Sequence, residues 1–305
     1  MTTSKNAKEE LRAAWDDLLS LLAEARDAID QPRWMPPPPH DRNLAEGYRY
    51  LMGFVHSAIE RSFHSDPDRP RFHNALSTVN RGTIDNADAV YFVAAIDGRG
   101  VYRLRGHTGD TRHWVGEPPA DRGPKAPHYL IFEATSGALA GDTGELTELM
   151  PGVKAQTGRI DSSQIEVDED GSFEILFAPE RPPGHTGNFV STRKVVDRPH
   201  PTDPDVGPER FATYLSGRQL FYDWAREAPI HLEIHREGAE GTAAEPYAPA
   251  LAAAELRRCG ELVRNQMRFW NAFWTILMGT YGHREGTLPG VGFSRNAFNL
   301  SLIHI

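Results

Sequence analysis

The chain has one cysteine, Cys259, among its 305 residues. A single thiol excludes an internal disulfide framework and makes a reducing, cytoplasmic setting the expected one. Cys259 falls inside a predicted helix with no activating motif around it, so it reads as a small packing residue rather than a nucleophile. Runs of Lys and Arg are missing too, and the net charge is −9. Nucleic-acid binding normally leaves a clustered basic footprint, so that class is set aside. Long apolar runs are equally scarce. The most apolar window, Phe269 to Tyr281, falls short of the ~20 residues a bilayer-spanning helix needs, so no membrane span is expected. The opening Met1-Thr2-Thr3-Ser4-Lys5 leads into a charged helix, without the apolar core of a secretory signal. There is no Gly-rich phosphate loop, no nucleophile elbow and no paired-cysteine zinc motif. The cofactor is therefore unknown from the sequence. No nucleotide motif is present, and a divalent metal is the one class carried forward.

What is present divides into three regions, with expected boundaries at 1–66, 67–240 and 241–299. From Ala7 to Ile29, apolar residues at Leu11, Trp15, Leu18, Leu22, Ala25 and Ile29 recur every three or four positions, the spacing of a one-faced helix. Pro36 to Pro39 then stop that helix, since proline lacks the N–H and clashes with the preceding turn. A second helix is predicted from Asn43 to Phe63, with Leu44, Tyr48, Leu51, Val55 and Ile59 on one side. These two amphipathic helices would pair, cover a sheet or form a homo-oligomer contact.

The middle region reads as β structure. Val90 to Ile96 and Val101 to Arg105 flank an Asp97-Gly98-Arg99-Gly100 turn. Ile165 to Val167 and Phe173 to Phe177 flank Asp168-Glu169-Asp170-Gly171. Further strands are predicted at Tyr129 to Glu133, Thr213 to Trp224 and Ile230 to His235. Strands parted by Gly-, Asp- and Pro-rich turns, without intervening helices, predict an α+β chain. Its core would be an antiparallel, jelly-roll-like β-sandwich between the N-terminal helical pair and a long C-terminal amphipathic helix. That last helix is expected from Pro249 to Tyr281, with a broad apolar face including Leu256, Leu262, Val263, Met267, Trp270, Phe273 and Trp274.

Two blocks carry a family resemblance. One runs from Thr83-Ile84-Asp85-Asn86-Ala87-Asp88 through Tyr91-Phe92 to Gly106. The other runs from Ile165 to Glu174 and resumes at Arg218-Gln219-Leu220-Phe221-Tyr222-Asp223-Trp224. Together with Ala45 to Leu51 they resemble the bacterial proteins that carry the domain of unknown function numbered 1214 (DUF1214). Asn86-Ala87-Asp88 stands where that family usually has Asn-Pro-Asp. The resemblance implies a sandwich-like fold with flanking helices and no established reaction. It also implies a further β-rich stretch beyond Asn299. The last six residues, Leu300 to Ile305, match the back-translation of a transposase adapter used in library construction. They are expected to be an artefact that cuts the chain short and to pack poorly, leaving a flank of Phe269 to Tyr281 exposed.

The candidate sites follow from residue type and spacing. Asp85, Asn86 and Asp88 precede a strand, where Asx side chains cap turns or hold a ligand hydroxyl. Tyr91, Arg103 and Arg105 lie on the strands that follow, and a pair of arginines on one face suits a carboxylate or phosphate. Asp223 and Trp224 close the 213–224 segment with an aromatic body and a polar handle. His231, Glu233 and His235 alternate, so they share one strand face and offer metal-ligand chemistry, with His107, His113 or His128 as a third imidazole. A solvated strand face explains the same alternation. Three functions remain open at this stage: binding of a small polar molecule, a metal-assisted hydrolase or lyase, and an assembly subunit acting through its helices.

Overall fold

The protein is described by a computed structural model over residues 5–34, 40–77, 79–80, 86–137, 142–201, 203–244 and 246–281. Leu300 to Ile305, on which the expectation of an artefact rests, lie outside the described residues.

Three helices, α1 (Lys5–Asp27), α2 (Asp41–Phe63) and α3 (Pro249–Tyr281), frame the β region in sequence but form one cluster in space. Of the arrangements left open for the two N-terminal helices, pairing with each other is not the one adopted. Each packs chiefly on α3. The reason is visible at Gly260, where a Cβ would stand 3.0 Å from the Leu21 Cβ and 3.2 Å from the Leu18 Cα. Such close approach favours small inward residues, so Ala14, Ala25 and Ala28 are buried while Trp15 is 53% exposed. The buried stripe of α2 is likewise turned from the predicted one. Leu51, Phe54, Ala58 and Arg61 face inward, and Leu44, Tyr48, Met52 and Ile59 are exposed. Cys259 is buried in this cluster, and burial pushes its thiol up. On the last described turns, Phe269 is buried and Ile276 is exposed.

The β region is a sandwich. One sheet has five strands in the order β1 (His73–Asn74), β2 (Ala89–Ala95), β10 (Tyr214–Leu220), β4 (Tyr129–Thr135) and β5 (Gln156–Asp161). The other has four, in the order β11 (His231–Arg236), β3 (Tyr102–His107), β6 (Ser172–Ala178) and β7 (Asn188–Ser191). A small hairpin of β8 (Arg193–Val195) and β9 (Glu209–Phe211) stands apart from both sheets. The period-two alternation places Phe92, Phe132 and Leu215 of the first sheet against Tyr102, Leu104, Ile175 and Phe177 of the second, and these form the core. Residues of opposite parity, Tyr91 on β2 and Arg103 and Arg105 on β3, point to the outer faces.

Three expectations need correction. Asp97 to Gly100 is not a hairpin turn, because β2 and β3 belong to different sheets. It is a corner between layers. Gly98 donates its N–H to the Ala212 carbonyl at 2.8 Å, and a Cβ there would stand 2.5 Å from the Ala212 backbone, so the chain turns against the approach to β10. Ile165 to Val167 is not a strand, although Ile165 still fills the core. The sandwich is also not wholly antiparallel, since β6 and β7 run parallel.

Candidate functional site

At one end of the five-stranded sheet, where Tyr214 of β10 lies beside Ala95 of β2 and Thr135 of β4, the strand ends and surrounding loops leave a cleft of about 590 Å³. Its floor is backbone locked by hydrogen bonds. Ile96 N–H donates to Thr213 O at 3.0 Å, Thr213 N–H to Thr135 O at 2.8 Å, and Gly137 N–H to the Thr213 hydroxyl at 2.8 Å. Thr192, fully buried, donates its hydroxyl to Gly98 O at 2.6 Å and accepts the Ala212 N–H on its carbonyl at 2.7 Å. Such a network leaves the walls little freedom to collapse.

The walls come from distant parts of the chain. Ser65 and Pro67 follow α2. Ser136, Asp142 and Val153 belong to the connection from β4 to β5. His200 and Val206 lie between β8 and β9, and Arg258 reaches in from α3. Arg210 of β9 lines the same cleft and is only 6% exposed. Its guanidinium donates to the carbonyls of Gly207, Glu209 and Gly152, and its Nε has no acceptor. Arg258 donates to the Tyr214 hydroxyl at 3.2 Å, and the Arg61 guanidinium stands 5.9 Å over the Tyr214 ring. Arg99 stacks on Phe211 at 4.4 Å.

A buried carboxylate holds one wall in place. Glu148 sits in the 3₁₀ turn Leu146–Leu149 and accepts the Thr143 N–H, the Thr143 hydroxyl and the Gly144 N–H at 2.7, 2.9 and 2.8 Å. Its other oxygen faces Lys154 Nζ at 2.6 Å, and the same ammonium lies 2.8 Å from the cleft residue Asp142. Burial alone pushes the Glu148 carboxyl up. The Lys154 ammonium and the Thr143 donors outweigh it and hold the group below the ordinary range. The Asn265 amide of α3 donates to Asp142 O at 3.0 Å and so ties the helical cluster to this wall.

The residues nominated from the sequence are dispersed. Asp85 lies outside the described residues. Asn86 caps a turn by accepting the Asp88 N–H at 2.9 Å, and Asp88 accepts the Trp224 indole N–H at 3.0 Å. Asp223 accepts the Ala225 N–H at 3.2 Å in the following turn. This group does assemble, but at the Leu220 end of β10, opposite to the cleft. Trp224 stacks on Phe221 with centroids 4.2 Å apart, and the exposed Tyr222 stacks on His128 at 3.8 Å. Burial, then the neighbouring His113 and Lys125, pull His128 down, against Glu227, which pulls it up. Tyr91 is elsewhere, on the outer face of the first sheet, with the Arg218 guanidinium 5.6 Å over its ring.

Arg103 and Arg105 are on the outer face of the second sheet and are already engaged. Arg103 pairs with Glu174 and Glu237, and Arg105 with Glu174 at 3.0 Å. His231, Glu233 and His235 share that face, as the alternation predicts, and the register sets His231 opposite His107. The set nevertheless divides, with His231 beside Glu233 at 3.5 Å and His235 beside Glu240 at 3.9 Å. His231 and His235 are four residues apart, about 13 Å along a strand, too far for both to reach one ion. Among the described residues no group of three or more His, Cys, Asp or Glu is placed to hold a metal. His113 and His128 lie together, 6.2 Å apart, in the other cluster.

Sequence reasoning missed Arg210, Tyr214, Asp142 and Arg258. Pro208-Glu209-Arg210-Phe211 resembles any solvated turn and strand. Arg210 becomes buried only because the segment from β8 to β9 folds against Gly152, whose carbonyl it meets.

No family model and no curated protein matches the chain. Among solved structures the chain is similar to the crystal structure of an uncharacterised protein from Burkholderia cenocepacia, at 25% identity and a TM-score of 0.65, over 88% of this chain. The chain spans 61% of that protein's length. The likeness supports an α+β sandwich with helices before and after it. Among the described residues no helix is long and apolar enough to cross a membrane.

Proposed function

We propose that this protein binds a small polar molecule in the cleft beside Tyr214. The observation that carries the reading is the union of a fixed backbone floor with polar side chains delivered from α3, β9, the segment after α2 and the β4–β5 connection. Concave sites with a few convergent polar groups are where small ligands usually bind. The test is amide chemical-shift mapping of the full chain titrated with pooled sugars, amino acids, organic acids and nucleosides. Saturable shifts at Asp97 to Arg99, Gly137 and Ala212 to Tyr214 are expected. Shifts clustered on Arg103, Arg105 and His231 to His235 instead would remove the proposal.

A second reading, self-association through α2, is favoured by the exposed Leu44, Tyr48, Met52 and Ile59. Residues at such spacing form one stripe of a helix. Light scattering of the full chain should then give twice the 34.0 kDa chain mass, falling to that mass in Tyr48→Glu. A wild-type monomer at all concentrations contradicts this reading and leaves the cleft untouched.

A further inference from the structure

Resting on that reading, we infer that the ligand of the cleft carries an oxyanion, a carboxylate or a phosphate, which Arg210 and Arg258 hold. Three carboxylates line the cleft, and each has a cation of its own. Asp97 lies 3.7 Å from Arg236, Asp142 lies 2.8 Å from Lys154, and Glu209 pairs with Arg193. Arg99 in turn rests on Phe211 and lies 3.9 Å from Asp97. That leaves two guanidinium groups without a carboxylate among the described residues. Arg258 has only the neutral Tyr214 hydroxyl, and Arg210 has only backbone carbonyls.

Arg210 is the telling one. It is nine-tenths buried, its charge is permanent, and its Nε donor is unused. A guanidinium withdrawn from water and left without a counter-charge is costly unless its donors and its charge are satisfied. Carbonyl oxygens satisfy donors but supply no net negative charge. A bound carboxylate or phosphate supplies both, and the planar fork of Arg matches the paired oxygens of either group. Arg210 comes from the β8–β9 hairpin and Arg258 from the helical cluster. An anion between them would tie together two parts of the molecule that the cleft separates. Arg258 is exposed and stands on the approach side.

The experiment titrates the full chain with sodium phosphate, sodium succinate and neutral myo-inositol at matched ionic strength, following the amides of Asp97 to Arg99 and Ala212 to Tyr214. A saturable response to phosphate or succinate is expected, and which of the two saturates first distinguishes a phosphate from a carboxylate ligand. Arg210→Gln and Arg258→Gln should each weaken it by roughly tenfold or more, the loss expected for a charge-assisted hydrogen bond. Arg258 is exposed, so its variant keeps the test decisive if Arg210→Gln fails to fold. Anion binding undiminished in Arg258→Gln and in any folded Arg210→Gln overturns the assignment. If neither anion moves these amides while myo-inositol or the neutral sugars and nucleosides do, the anion falls and the cleft reading stands. If none of them moves these amides, both fall.

Discussion

Glu148→Ala lowers the stability of the chain by about 3–5 kcal/mol, the range for removing one partner of a buried ion pair. The side chain is 1% exposed and meets four donors, so its loss strands the Thr143 and Gly144 N–H groups and removes one partner of Lys154. Lys154 loses one carboxylate but keeps Asp142, which limits the damage to its own charge. Chemical denaturation at pH 7 measures the difference. The pH dependence has a definite sign. The Glu148 carboxyl is held below its ordinary 4.5, so it binds fewer protons folded than unfolded near that pH. Its contribution is complete above that value and is lost as pH falls through the folded one. The gap between wild type and Glu148→Ala should therefore narrow steadily below about pH 4.5. A gap that stays constant down to pH 3 would mean that the carboxylate charge is not what stabilises the turn.

Gly217→Ala costs about 3 kcal/mol, at the upper end of overpacking effects. Gly217 occupies the centre of β10, and the register sets it between Phe92 of β2 and Phe132 of β4. The two rings lean together over it with centroids 5.5 Å apart. A Cβ there would stand 2.2 Å from the Ile131 carbonyl oxygen and 2.5 Å from the Phe92 ring. The ring can turn, but the carbonyl belongs to the neighbouring strand, so the sheet itself must shift. Alanine also relieves the entropy penalty of glycine in a strand, worth roughly 0.5–1 kcal/mol, and that gain is too small to offset the clash. Urea unfolding with an unchanged m-value measures it. A loss below about 0.5 kcal/mol would show that the sheet accommodates a methyl group and that Gly217 is not a packing requirement.

The sequence made the sandwich legible where strands are long and alternate. Val90 to Ile96, Tyr129 to Glu133, Phe173 to Phe177 and Ile230 to His235 coincide with observed strands to within two residues at either end, and alternate apolar residues such as Phe92, Phe132, Ile175 and Phe177 face the core. The short strands β7, β8 and β9 were not legible. Three or four mixed residues show no period; β7 forms on the edge of β6, and β8 and β9 form on each other. Helical spacing identified all three helices and the inward face of α3, where Leu262, Val263 and Met267 are buried, but it misplaced Trp15 on α1 and most of the α2 stripe. Trp15 is large and apolar, yet the close approach of α1 to α3 favours the neighbouring Ala14 on the inward side. The candidate site was the least legible part. The nominated residues each match a chemistry, but parity sends Tyr91 and Arg103 to opposite outer faces, and Asp88 and Trp224 to the far end of β10. Arg210 and Arg258, which line one cleft, are 48 positions apart in the sequence, in a hairpin and a helix with no shared pattern.

The cleft and the Asp88–Trp224 cluster lie at opposite ends of one seven-residue strand, about 20 Å apart. Amide-shift mapping with the polar ligand pools therefore tests the central claim most directly. Saturable shifts gathered at Asp97 to Arg99, Gly137 and Ala212 to Tyr214, and weakened in Arg258→Gln, are the expected result. Shifts gathered instead at Asn86 to Asp88 and Tyr222 to Trp224 would contradict it and return the site to the residues first singled out in the sequence.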